Sequence, residues 1–377
     1  MPKKLILHAG LPKTGTTSIQ NAFYRTRDLL LGDARMLYPS VAPNHTNAVC
    51  TMFLKNPETH ITNKIGMLKA DFDLARVRVD YFEALEADMA RGEWDTVLIS
   101  AEGISNLSAE EIAGFRDWAL EYVDTFEVVF WTRDPVKYTV SVIQQIIKGG
   151  QTIKSLADDL PLPNFRGKIS NAIAVFGAEA VKVRDFESAI TQEDGIVGAF
   201  CRDVGLTADL TARIVEHATR DNEALSLEAA MMLDRLNELR PLFDNDGAQA
   251  RRTGGEIQYL QAVRGNRFDI PFALRKACHE QSRADVAWLN KTFGLDLYTE
   301  PFTEEQPQPA PLDMSTITSS AILMSNLINT VEGLKLTLQA HEAYHNNELD
   351  MARSKLAEAQ RFTPESGHIQ VLRQRLN

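Results

Sequence analysis

Lys4–Gln20 reads KLILHAGLPKTGTTSIQ, and the rest of the chain is best approached from it. Lys4–His8 is a short apolar run closed by Ala9-Gly10, the pattern of a buried strand in a parallel sheet. Ile19, Ala22, Phe23 and Leu30 then mark one face of a helix. Between them, Gly10 and Gly15 keep the glycine spacing of a nucleoside-triphosphate loop, G-x-x-x-x-G-K-[ST]. The lysine is displaced, however. Thr16 and Thr17 follow the second glycine, and Lys13 sits inside the turn.

A glycine turn that opens a helix aims backbone N–H groups at a common centre, and the helix end adds partial positive charge. Thr14, Thr16, Thr17 and Ser18 add hydroxyls, so the stretch reads as an anion cradle and not as a bare tight turn. A triphosphate loop also needs a strand ending in an acid for its metal. Thr96–Ser100 (TVLIS) is followed by Ala101-Glu102, a candidate acid, but Glu127–Thr132 (EVVFWT) is followed by Arg133-Asp134-Pro135. An arginine at a strand tip points to a different anion.

Ala180–Arg184 (AVKVR) reads as a fourth strand, with helical patterns at Asp80–Arg91 and Ala109–Tyr122. Strands alternating with helices predict an α/β fold, a three-layer P-loop-like arrangement around a mainly parallel sheet. Leu225–Leu239 and Arg283–Phe293 read as helices and Arg251–Gly265 as a solvated loop. The texture changes at Pro301–Leu312 (PFTEEQPQPAPL), a stiff linker. Ser319–Asn377 is helical in pattern, and Ala340–Ser366 resembles one tetratricopeptide-type hairpin. The expected domains are 1–300 (α/β), 301–318 (linker) and 319–377 (an all-helical extension suited to a protein partner or self-association).

The 377 residues carry a net charge of −11, which argues against a general nucleic-acid surface. Cys50, Cys201 and Cys278 are far apart and suit reduced, buried thiols rather than a metal pair or a disulfide framework. Leu5–Leu7 is too short for the apolar core of a signal peptide, and no run approaches the roughly 20 apolar residues of a membrane span. A cytoplasmic location is expected.

LPKTGTTSIQ resembles the 5′-phosphosulfate loop of sulfotransferases that use 3′-phosphoadenosine 5′-phosphosulfate. Trp131–Gln145 (WTRDPVKYTVSVIQQ) is similar to their 3′-phosphate motif, in which an arginine follows a strand and a serine lies eight residues later on a helix. Arg133 and Ser141 match both positions. The resemblance covers roughly residues 4–298, with specific motifs only in the first half, and is nearest to bacterial members acting on carbohydrates or other hydroxyl compounds. It implies transfer of a sulfuryl group to an acceptor hydroxyl without a metal. Lys13 would bind the phosphosulfate and stabilise the departing oxygen. Thr14, the Gly15–Ser18 backbone and the hydroxyls of Thr16 and Thr17 would hold the 5′-phosphate, and Arg133 with Ser141 the 3′-phosphate.

The acceptor hydroxyl must lose a proton, and a histidine or carboxylate in reach takes it. His45 and Glu102 are the candidates; the resemblance does not decide between them, and His45 is the first choice. His8 reads as a supporting or core histidine. Two other readings stay open. One is a nucleoside-triphosphate-dependent small-molecule kinase. The other is an inactive scaffold working through its C-terminal helices.

Overall fold

The computed structural model describes residues 2–67, 71–156, 159–218, 224–242, 255–302, 314–363 and 367–376. By contacts the chain forms two compact units. The first comprises Met1–Tyr138, Leu162–Asp221 and His279–Pro301; the second comprises Thr139–Pro161, Asn222–Cys278 and Phe302–Asn377. The C-terminal helices, expected to stand apart from residues 1–300, therefore share a unit with two segments from inside that range.

In the first unit β1 (Lys4–His8) runs through the glycine turn into α1 (Thr16–Arg25). There follow β2 (Met36–Leu37), α2 (Thr46–Phe53), α3 (Leu74–Ala90), β3 (Thr96–Ser100), α4 (Ala109–Ala119) and β4 (Thr125–Thr132). α5 (Pro135–Lys148) starts here, and α6 (Phe165–Phe176), β5 (Val181–Asp185) and α7 (Gly195–Asp203) complete the main elements. The strands form one parallel sheet in the order β2-β3-β1-β4-β5. Leu7 stands in register with Ile99 on one side and Val128 on the other.

Strand side chains alternate between the two faces of a sheet. Leu5, Leu7, Val97, Ile99, Val128 and Phe130 join one apolar cluster, which includes Phe165 and Ile169 of α6. Ile6, Leu98, Val129 and Trp131 join a second, with Ile19 and Phe23 of α1 and Phe200 of α7. Covered on both faces, these strands are apolar throughout, which is why they are legible in the sequence. β2 has only two residues, too few for any periodicity, and was not expected. α3 begins earlier than the expected Asp80 because Asp73 caps it, accepting from the N–H groups of Ala75 and Arg76. α4 starts on a capping box formed by Ser108 and Glu111.

In the second unit α8 (Leu227–Leu239) is held by Asn237, whose side-chain amide donates to the carbonyls of Ile147 and Gln151, each at 2.7 Å. α9 (Phe272–Phe293) starts in this unit and passes into the first at His279. α10 (Met314–His345), α11 (Leu349–Phe362) and α12 (Gly367–Leu376) follow. Ala340, Ala343, Ala352, Leu356 and Ala359 are buried where α10 and α11 pack, and Ile369 and Leu372 of α12 join that cluster. Of the expected loop at 251–265, residues 251–254 lie outside the described part. Glu256–Leu260 is helical, because Leu260 is buried against Leu233 and Phe268 in the unit's core. Residues 303–313 of the expected linker and 364–366 of the hairpin stretch also lie outside it, and α10 already begins at Met314.

All three cysteines are free and buried, and burial pushes the thiols of Cys50 and Cys201 up to about 12. Among the described residues, no helix is long and apolar enough to cross a membrane.

Candidate functional site

The sheet order puts β1 in the middle, with β3 on one flank and β4 on the other. In open parallel sheets the crevice beyond the carboxyl ends of the strands, at such a reversal of strand order, is where ligands bind. The glycine turn occupies that position. Gly10, Lys13 and Gly15 have φ of 87°, 68° and 74°, so the turn bends through the left-handed region three times. It is fastened to β4 by backbone bonds from Leu11 N–H to the Trp131 carbonyl (2.9 Å) and from Trp131 N–H to the Gly10 carbonyl (2.6 Å). A Cβ on Gly10 would meet Glu102 Cβ at 3.0 Å, and one on Gly15 would meet Ile196 at 3.0 Å. Both glycines are therefore favoured by φ, and a side chain at either would crowd a neighbour.

α1 starts at Thr16 with Gly15 as its cap residue, no side-chain cap bond and no acid in its first turn. The first N–H groups of a helix have no intrahelical acceptor, so this end presents donors and partial positive charge. The hydroxyls behave differently from one another. Thr14 is buried and donates to the Leu11 carbonyl at 2.6 Å, bracing the turn from within. Thr16 donates to Glu102 Oε2 at 2.8 Å. Thr17 is exposed and Ser18 and Lys13 are partly exposed.

Arg133 follows β4 and is only 16% exposed. Its Nη1 donates to the Lys13 carbonyl at 3.1 Å and its Nε to Glu187 at 3.2 Å, with the guanidinium 5.2 Å from the centre of the Phe186 ring. The structure thus brings Arg133 to the turn across 120 residues of sequence. Glu187, which no sequence argument singled out, also holds Lys137 at 2.8 Å. Pro135 begins α5, and Asp134 accepts from the Lys137 N–H at its start, so this acid acts as a helix cap. Ser141 lies farther along α5, past the residue where the second unit begins.

The two candidate bases part company. His45 is fully buried; its Nδ1 accepts from the Ser100 N–H at 3.0 Å, which leaves Nε2 to donate to the Pro39 carbonyl at 3.2 Å. Burial lowers its pKa to about 4. Both ring nitrogens are occupied and no surface faces a ligand, so His45 is a clip between β3 and the Pro39 turn. The expectation that it faces the acceptor gives way to this geometry. His8 is equally buried, 2.8 Å from the Ser100 hydroxyl, and burial lowers it to about 3.

Glu102 opens the 3₁₀ turn Glu102–Asn106 directly after β3 and is partly exposed. Besides accepting from Thr16, it lines a cavity of about 390 Å³ with Pro12 of the glycine turn. Cys50, Leu54, Ile61 and Leu107 form the apolar wall; Thr46, His60 and Asn106 are polar. His60 Nδ1 is buried there without a hydrogen-bond partner among the described residues.

No family model matches the chain, and no curated protein does. Among solved structures, the chain is similar to a sulfotransferase from Alicyclobacillus acidocaldarius, at 15% identity and a TM-score of 0.43, over 79% of this chain and 97% of that one.

Two further residues of the first unit lie near Glu102. Lys168 Nζ is 3.4 Å from the Tyr138 hydroxyl. Burial lowers the Lys168 pKa, while the nearby charges of Glu102 and Asp285 oppose the shift. Burial raises Tyr138, and Glu102 adds to that. A signal for Lys168 was present in FRGKISNAIAVF: it falls on the stripe of Phe165, Ile169 and Ala172 that α6 buries. A lysine on an apolar stripe calls for a partner. Glu187 carried no comparable signal.

Proposed function

We propose that the protein transfers a sulfuryl group from 3′-phosphoadenosine 5′-phosphosulfate to an acceptor hydroxyl. The observation that carries this reading is the convergence at the end of β1. The uncapped start of α1, Arg133 bound to the Lys13 carbonyl, and Glu102 bound to Thr16 come from three neighbouring strands. Donors and cations lie on the side toward β4; a carboxylate and a cavity lie on the side toward β3.

In this reading the acceptor oxygen bonds to sulfur as the bond from sulfur to the bridging oxygen of the donor breaks. Adenosine 3′,5′-bisphosphate leaves. Lys13 and the N–H groups of Gly15–Ser18 stabilise the negative charge gathering on the bridging oxygen and 5′-phosphate. Arg133 receives the 3′-phosphate, with the Glu187 and Lys13 contacts fixing its planar fork; Ser141 is its second donor on the strength of the sequence motif. Glu102 takes the acceptor's proton. The acceptor, a single sugar or another small hydroxyl compound, enters the cavity of about 390 Å³ that Glu102 lines.

One observation favours a second reading. A loop hydroxyl facing a strand-end acid, as Thr16 faces Glu102, is also how triphosphate enzymes hold Mg²⁺. Against it, Thr16 stands where their lysine belongs. Calorimetry separates the two. Adenosine 3′,5′-bisphosphate is expected to bind more tightly than ATP with Mg²⁺, and the reverse order would replace the transferase reading with a kinase.

A further inference from the structure

α10 is 32 residues long and carries an apolar stripe on its outside. Leu323, Leu327, Val331, Leu334 and Leu338 are 60%, 59%, 52%, 51% and 60% exposed, although they are among the most apolar residues of the second unit. Their spacing is four, four, three and four, so at 3.6 residues per turn they fall within an arc of about 80°. That spacing follows an 11-residue repeat, so the stripe keeps to one side along a nearly straight helix. Ala321, Ser325 and Ile328 on other faces of α10 are buried.

We propose that this stripe is the contact by which two copies of the chain pair, with their α10 helices antiparallel. The first argument is symmetry. A two-fold contact requires that if residue i meets j, then j meets i. The stripe is symmetric about Thr330-Val331: an antiparallel pair sets Leu323 against Leu338 of the second copy and Leu327 against Leu334, with Thr330 and Val331 meeting across the axis.

The second argument is polarity. On the same 3.6-residue wheel His341 and His345 continue the stripe, whereas Glu332, Lys335 and Glu342 lie outside its arc. Antiparallel pairing sets His341 against Ser320. A parallel pair would oppose His341 to His341 and His345 to His345. Facing imidazoles on an apolar seam disfavour that arrangement. The third argument is area. A helix of this length and about 10–12 Å diameter has a footprint of roughly 500 Å². Specific interfaces start near about 600 Å² per partner. The contact falls short of that, so the dimer must be weak and concentration-dependent.

Sedimentation velocity of the full chain across the micromolar range tests this. The expected result is a monomer–dimer equilibrium that Leu327→Asp with Leu334→Asp abolishes, with helical circular dichroism unchanged. A wild-type chain that stays monomeric at the highest concentration, or a double variant that still dimerises, overturns the proposal. Orientation is read with variants that keep the stripe mostly apolar. Leu323→Cys with Leu338→Cys is expected to crosslink between copies on mild oxidation, and Leu323→Cys alone is not. Equal crosslinking by the single variant would mean parallel helices and overturn the antiparallel pairing.

Discussion

The two units handle apolar surface in opposite ways. The first encloses its strands between two apolar clusters and, at one end of the sheet, pairs Thr16 with Glu102 and Arg133 with the Lys13 carbonyl. The second buries one side of α10 and leaves a regular apolar stripe outside. In the first unit, then, the proposed site rests on polar groups paired across distant strands. In the second, the proposed contact rests on apolar groups left exposed. Burying hydrophobic residues is the ordinary outcome of folding, so a regular row of exposed ones is as informative as a polar cluster.

The sharpest way to break the contrast is to remove charge from the glycine turn. Lys13→Ala is expected to lower turnover by about a thousandfold with thermal stability unchanged. Turnover within a few-fold of wild type would remove Lys13 from the chemistry. Next, Glu102→Gln is expected to slow turnover by at least about a hundredfold at saturating donor, with adenosine 3′,5′-bisphosphate binding nearly intact. If binding fails along with turnover, Glu102 shapes the turn instead of accepting a proton.

His45→Ala sharpens the comparison from the other side, because it should act on stability. Losing two buried hydrogen bonds and a packed ring should destabilise the fold by about 3 kcal/mol. Denaturant titration reads this. A variant as stable as wild type but inactive would return His45 to the site. The effect of pH is graded. Burial holds the His8 and His45 pKa values at about 3 and 4 in the folded chain, against an ordinary 6.5. Their contribution is complete above pH 6.5 and is lost as pH falls, since only the unfolded chain takes up those protons. For His45 the loss is about 3 kcal/mol by pH 4, spread over the whole interval. His45→Gln should flatten this part of the acid limb; an unchanged limb would show that His45 does not titrate on unfolding. Finally, Leu327→Asp should alter mass and leave nucleotide affinity within about twofold, because the stripe and the turn belong to different units.

Much of the sheet was legible because strands buried on both faces are apolar runs, as in Leu5–Leu7 and Val128–Trp131. The α/β class follows from those runs and the helices between them. The division into units was not legible. Thr139–Pro161 and Asn222–Cys278 have the same texture as their neighbours, and only their contacts assign them to the second unit. Within the candidate site, Arg133 and Glu102 could be read as strand-end residues, but not as neighbours of the turn. That depended on the order in which the strands line up. His45 shows the limit most plainly. A histidine in a polar, proline-containing segment looks available, yet the chain folds that segment inward and occupies both nitrogens.

By itself the sequence determined what is local. A glycine pair with left-handed freedom opens a helix, strands carry apolar residues on both faces, and a helix bears leucines at a repeating interval. These depend on dihedral preference and on the periods of strand and helix, which hold wherever the segments end up. Only the tertiary structure decided what is shared between segments: that β1 is central, that Arg133 reaches the Lys13 carbonyl, that Glu102 rather than His45 faces a cavity, and that the leucine stripe points outward. The physical reason is that burial and hydrogen-bond pairing belong to pairs of segments, and no single segment encodes which partner it will meet.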